Sequence, residues 1–247
     1  MDQQTNLGRI QIVLVDTQDG ANIGSTCRAM KTMGITRLVL VGDREYDENR
    51  VRTLALHASD VWDNAKRFSS LKEALSESVL TVAATRRRGK FRKSSALHPT
   101  QLSEVVQKTG EGLVSIVFGR ESDGLTDEEV AMCAQVVTIP TSEQFPSLNL
   151  SQAVQIITFT LFDTIKTYPV QANPVTQARC EEAALKASEA LDGIGYFKLA
   201  QEKLWTFRFL RDVYERAALT ESEIQKMEKV FVKMSRVKAH KEIEDDV

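Results

Sequence analysis

The sequence predicts an α/β fold: a mainly parallel sheet with helices on both faces. Two observations carry that expectation. Short, continuously apolar, β-branched runs recur through the first two thirds of the chain, and helix-like segments separate them. Strands that are apolar throughout, rather than alternating, are those buried on both faces, as in parallel sheets covered by helices.

In chain order, strands are expected at 10–15, 37–41, 79–85, 113–118 and 136–139, and helices at 22–33, 69–76, 99–108 and 126–133. The stretch "LTDEE" places Thr126 as a cap ahead of an acidic first turn, which suits the positive end of a helix dipole. A long apolar-periodic helix follows at 148–168, with Pro169 to stop it. The character then changes. "PVQANPVTQ" holds two prolines, and beyond it only helical patterns occur, at 176–191, 197–218 and 221–239. The expected organisation is therefore an α/β domain over 1–168, a linker over 169–175 and a helical extension over 176–247, fraying at "EIEDDV". In the segment "YFKLAQEKLWTFRFLRDVYERA", Leu204, Phe207, Leu210, Val213 and Tyr214 lie at helical spacing and are read as core, although the mixed aromatics and cations would also suit RNA.

Composition narrows the function. The chain has 247 residues and a formal net charge of −2, so a nucleic-acid partner cannot be argued from the overall balance. No apolar run approaches the roughly 20 residues that span a bilayer. Cys27, Cys133 and Cys180 are far apart, fitting a reducing cytoplasm rather than a disulfide framework. His57, His98 and His240 are equally scattered, so no metal is expected. Locally, "RRRGKFRK" gathers Arg86, Arg87, Arg88, Lys90, Arg92 and Lys93 around Phe91, which is either a solvated loop or a phosphate-binding one.

In a doubly wound sheet, ligands gather where strands end and helices begin. Three such loops are unusual. In "DTQDGANIGSTCRAMKTMG", Gly20 and Gly24 allow close backbone approach, Asn22 stands as a cap, and Arg28 falls on the second turn. In "FGRESDGLTDEE", Gly119 and Gly124 flank Arg120 and Glu121; the alternatives are a cofactor-contacting backbone or a tight loop closed by an Arg-Glu pair. In "IPTSEQFPSLNLSQAV", Ser147 and Asn149 stand at the start of the long helix, with Ser147 read as a cap. Neither a GxGxxG turn after a strand nor a Walker loop is present, which removes ordinary dinucleotide enzymes and P-loop proteins.

Taken in order, "NIGSTCRAMKTMG", "VFGRESDGLTDEE" and "IPTSEQFPSLNLSQAV" resemble the three motifs of the SpoU branch of the SPOUT RNA ribose methyltransferases, and within it the TrmJ-like tRNA 2'-O-methyltransferases. The likeness runs from Ile10 to about Tyr168. It implies S-adenosylmethionine as methyl donor, a homodimer, a trefoil knot late in the α/β domain, and cytidine or uridine 32 of tRNA as target. It carries a catalytic role onto Arg28, with Asn22, Glu121 and Asn149 beside it. The implied cofactor positions are Thr85, Arg86, Arg87, Gly119, Ile139, Ser147 and Leu148. Arg88, Lys90, Arg92 and Lys93 would meet RNA phosphates. The chain departs from the pattern where small residues usually replace Arg86 and Arg87, and where Ser or Gly is common in place of Pro146. Arg28, held by Glu121 and Asn149, would either accept the proton in a strongly perturbed state or orient the hydroxyl and stabilise its developing charge; because an arginine is a poor base, with a pKa above about 12, the second role is preferred. Ribosomal RNA as substrate and a noncatalytic RNA-binding protein are the alternatives.

Overall fold

The computed structural model describes residues 7–86, 96–165 and 173–244, with side chains at 200 and 237–244 excepted. Six strands, β1 (Ile10–Val15), β2 (Arg37–Val41), β3 (Lys66–Phe68), β4 (Ser78–Ala84), β5 (Leu113–Phe118) and β6 (Gln135–Val137), form one sheet in the order β3-β2-β1-β5-β4-β6. Every neighbouring pair is parallel. The helices of this part are α1 (Gly20–Thr32), α2 (Glu48–Ala55), α3 (Ser59–Asp63), α4 (Leu71–Leu75), α5 (Pro99–Lys108), α6 (Asp127–Met132) and α7 (Leu150–Thr164).

The central strand shows why the pattern reads as it does. All six residues of β1 are buried. Successive side chains alternate faces, so Ile10, Ile12 and Leu14 join a core with residues of α1, α2, α5 and α7, while Val13 and Val15 join the opposite core with residues of α4 and α6. Both faces are covered, so both are apolar but for Gln11, whose Nε2 donates to Ser115 Oγ at 2.7 Å.

The expected strands at 10–15, 37–41 and 113–118 and the helix at 99–108 form with those bounds. The others shift or shorten. β4 starts and ends one residue earlier than the expected 79–85, and β6 runs only from 135 to 137. The long helix α7 begins at Leu150 and ends at Thr164, and Pro169 lies outside the described residues. β3 escaped the sequence because it is a three-residue edge strand, with Lys66 and Arg67 exposed. The short helix α2 was missed too. Its start is set by Asp47, whose carboxylate accepts from the amides of Asn49 and Arg50 at 2.9 and 3.4 Å.

Beyond residue 172 come α8 (Gln177–Gly193), α9 (Ala200–Arg216) and α10 (Glu221–Glu244). They enclose a small core of Cys180, Ala183, Ala184, Tyr214 and Ile224. Phe207, Leu210 and Val213 pack against it, as the spacing implied. Leu204 does not. It is 48% exposed, beside the exposed Trp205 and Phe209.

At the end of the sheet, β6 pairs with β4 on one side. On its other side lies Leu97, whose amide donates to Val136 O at 2.8 Å and whose carbonyl accepts from Thr138 N at 2.9 Å. β6 thus sits between two parts of the chain joined by residues 85–96.

The packing of α1 on α2 depends on one missing side chain. A Cβ at Gly24 would stand 2.2 Å from Val51 O and 2.9 Å from Ala55 N, both backbone atoms. Gly24→Ala is expected to lower stability by about 2 kcal/mol or more, read as a fall in the urea midpoint at unchanged slope.

Candidate active site

The sheet order reverses between β1 and β5, so the crevice for a ligand opens over the carboxyl ends of those strands and their neighbours. All three loops singled out above arrive there. The loop after β1 leads into α1, whose cap is Asp19 rather than Asn22: the Asp19 carboxylate accepts from Ala21 N at 2.9 Å. Arg50 grips the same carboxylate at 2.7 and 2.8 Å, and these hydrogen bonds hold the Asp19 pKa below its ordinary value. Asn22 therefore sits inside the first turn, with its side chain available for another purpose.

That purpose is Glu121, in the loop after β5. Its carboxylate accepts from Gln18 N at 2.8 Å, Asp19 N at 3.4 Å and Asn22 Nδ2 at 2.8 Å. The carboxylate closes the positive start of α1, where free amides and the helix dipole both favour negative charge. Asn22 passes the connection on, because its Oδ1 accepts from Asn149 Nδ2 at 2.9 Å. Asn149, and not Ser147, caps α7: its Oδ1 accepts from Ser151 N at 2.9 Å and Ser151 Oγ at 2.7 Å. A chain of side-chain hydrogen bonds thus joins the loops after β5, β1 and β6.

Arg120 braces the middle loop. It donates to Glu129 at 2.9 and 3.0 Å, to Gly124 O at 3.3 Å and to Asp16. The hydrogen bonds to Glu129, then to Asp16, raise its pKa and keep it charged. Glu129 also accepts from Thr126 N at 2.7 Å, so one carboxylate completes the α6 capping box and anchors the arginine. Gly119 has a structural task here. A Cβ on it would lie 2.2 Å from the carbonyl carbon of Gly124, so the loop closes on itself only with glycine at that position.

Beside this loop is a cavity of about 170 Å³ over the ends of β4, β5 and β6. Phe118, Val137, Leu148 and Ile139 supply apolar wall, and Thr85, Arg86, Glu121, Asp123 and Ser147 supply polar groups. Two bonds fix its floor: Thr85 N donates to Val137 O at 3.1 Å, and Thr138 Oγ1 donates to Thr85 O at 2.8 Å. Gly119 does not line the cavity. Arg87, Arg88, Lys90, Arg92 and Lys93 lie outside the described residues.

Arg28 stands apart from this assembly. Six residues beyond Asn22, it is rotated by about 120° and displaced by about 9 Å along α1. It is exposed, and among the described residues its guanidinium has no hydrogen bond or ion pair. The expectation that Glu121 and Asn149 hold Arg28 is corrected within the chain: both bond to Asn22 instead, and helical geometry turns Arg28 away from them. Sequence reasoning also missed Asp16, Gln18 and Glu129. Only Glu129 left a signal, as the third residue after a capping threonine.

Residues 9–159 match the SpoU rRNA Methylase family. The chain belongs to that family. Among related SpoU proteins, "tRNA (cytidine/uridine/adenosine-2'-O-)-methyltransferase TrmJ" of Pseudomonas aeruginosa is 31% identical, covering 94% of this chain and 95% of the relative. A TrmJ of Photorhabdus laumondii, named as a tRNA (cytidine/uridine-2'-O-)-methyltransferase, is 40% identical over 62% of this chain and 64% of its own length. The crystal structure of TrmJ from Z. mobilis superposes with a TM-score of 0.73 at 29% identity, covering 91% of this chain and 98% of that one. The SpoU likeness therefore extends beyond the α/β part into the terminal helices.

Because the Arg120 side chain is only 22% exposed and Glu129 13%, Arg120→Met would leave two carboxylates facing each other without a counter-charge. Stability is expected to fall by about 2 kcal/mol, measured by chemical denaturation.

Proposed function

We propose that this chain transfers a methyl group from S-adenosylmethionine to a ribose 2'-hydroxyl of tRNA, with nucleotide 32 of the anticodon loop as the target. The observation that carries this reading is the side-chain chain Glu121–Asn22–Asn149, which ties the three family loops together at the edge of the cavity. The tRNA assignment draws on the names of the TrmJ relatives.

The cavity suits the donor. Its walls of Phe118, Val137 and Leu148 fit a flat purine, and Glu121 and Asp123 offer carboxylates to a cationic sulfonium and ammonium group. Thr85, Arg86, Ile139, Ser147 and Leu148 would hold it, with Gly119 shaping the loop behind. Bound there, the cofactor supplies an electrophilic methyl group. The protein's share is to position a weak nucleophile and manage its charge. Arg28 is a cation suited to that task, orienting the target hydroxyl or its neighbouring phosphate and stabilising the alkoxide as it forms. Asn22, Glu121 and Asn149 are positioning residues that fix the start of α1 and so the helix that carries Arg28.

Two features support a homodimer. Arg28 does not line the cavity of its own chain, and α7 exposes Phe159 and Phe162, which a second copy would cover. A trefoil knot is supported by the position of β6 between β4 and Leu97, the two ends of the segment 85–96. We further assign 1–168 to the methyltransferase domain and 176–247 to the extension. A second reading, ribosomal RNA as substrate, is favoured by the wording of the family description and by relatives named as tRNA/rRNA methyltransferases. Mapping 2'-O-methyl groups in total RNA with and without the gene decides between them; loss confined to ribosomal RNA would overturn the tRNA assignment.

Arg28→Ala is expected to lower single-turnover methylation by at least about 100-fold while cofactor affinity stays within about twofold. Unchanged chemistry would remove Arg28 from the mechanism. Neutralising Arg88, Lys90, Arg92 and Lys93 together should weaken RNA binding and flatten its dependence on log salt concentration by roughly 0.7 to 0.9 for each phosphate no longer neutralised, measured by titration across ionic strength.

A further inference from the structure

The terminal helices grip one short turn of the α/β domain with three buried side chains. Gln177, Arg211 and Glu215 are only 3%, 5% and 2% exposed. Gln177 Nε2 donates to Met132 O at 2.7 Å, and Arg211 Nη2 donates to Ala131 O. Both acceptors are last-turn carbonyls of α6, which lack intrahelical partners. Glu215 Oε1 accepts from Thr81 N at 2.6 Å and from Thr81 Oγ1 at 2.5 Å. Thr81 Oγ1 in turn accepts from Ala134 N at 2.9 Å. Thr81 is the residue of β4 immediately before the first pair of the β4–β6 ladder, Val82 with Gln135. The carboxylate therefore completes that ladder where β6 has not yet begun.

The location of this grip gives it meaning. Residues 131–134 form the turn from α6 to β6. The chain enters α6 from the loop 119–124 and leaves β6 into the loop 138–149, and both loops line the cavity. β4 itself ends at Ala84, which with the following Thr85 lines the same cavity. Shifting the turn moves two cavity walls together, because packed strands and helices transmit displacement rather than absorb it.

We propose that Gln177, Arg211 and Glu215 are positioning residues for the cofactor pocket, so that attachment of the terminal helices and cofactor binding are thermodynamically coupled. The inference rests on the reading of that cavity as the S-adenosylmethionine site. Coupling is reciprocal: whatever the extension engages will tighten or loosen the cofactor by the factor with which the cofactor acts back on that engagement.

The test uses the full chain and S-adenosylhomocysteine as probe. Glu215→Gln keeps the shape and removes the charge; Gln177→Ala removes a single hydrogen bond and serves if the first variant does not fold. Calorimetric titration is expected to show the probe Kd raised by about fivefold or more. The cofactor KM should rise alongside, with kcat at saturating cofactor within about twofold of wild type. A merely structural role would lower the melting temperature and the active fraction, leaving the Kd and KM of the folded protein unchanged. A folded variant whose probe Kd lies within about twofold of wild type overturns the coupling alone. Failure of the wild-type protein to bind the probe overturns the cofactor reading and the coupling with it.

Discussion

The carboxylate of Glu121 is the point on which the site depends. It answers two main-chain amides at the entrance to α1 and the side chain of Asn22, and no neutral side chain could satisfy all three as well from that position. Through it the loop after β5 is fixed to the loop after β1. Through Asn22 and Asn149 the start of α7 is fixed to both. Three segments distant in sequence become one surface, with few atoms and little apolar contact.

A second ionic set prevents that surface from shifting. Arg120 spans Asp16, Gly124 and Glu129, so the loop carrying Glu121 is closed from behind. Asp16 has a positive φ of 47°, and a Cβ at Gly42 would come within 2.2 Å of its Oδ1. The same aspartate thus packs closely on Gly42 with one oxygen and pairs with Arg120 through the other. Arg28 differs from Arg120 in this respect. Arg120 is consumed by structure, whereas among the described residues the Arg28 guanidinium makes no hydrogen bond or ion pair.

Much of the fold was legible because buried parallel strands carry a strong local signal. β1, β2 and β5 are apolar runs between turn residues, and their bounds followed directly. β3 has no such run: its pairing with β2 is a tertiary fact that two cations and a phenylalanine do not announce. In the site, the motifs identified Asn22, Glu121 and Asn149, but which groups they bind was not readable. Asn22 and Ser147 both stand near helix starts and so look like caps, whereas Asp19 and Asn149 have the backbone geometry for it. Spacing alone points Leu204 inward. In the folded chain it is half exposed, as are Trp205 and Phe209 beside it.

Leu97 beside β6 has a consequence for solubility. An open sheet exposes two rows of unpaired amides and carbonyls, each a template for pairing with another molecule. Here the β6 side is sealed by Leu97, which takes up the Val136 carbonyl and the Thr138 amide. The β3 side is only three residues long, and Arg67 lies 4.9 Å over the Trp62 ring and 5.9 Å over Tyr46. One border is shielded and the other is short and cationic, so among the described residues the sheet offers little purchase for growth into an aggregate.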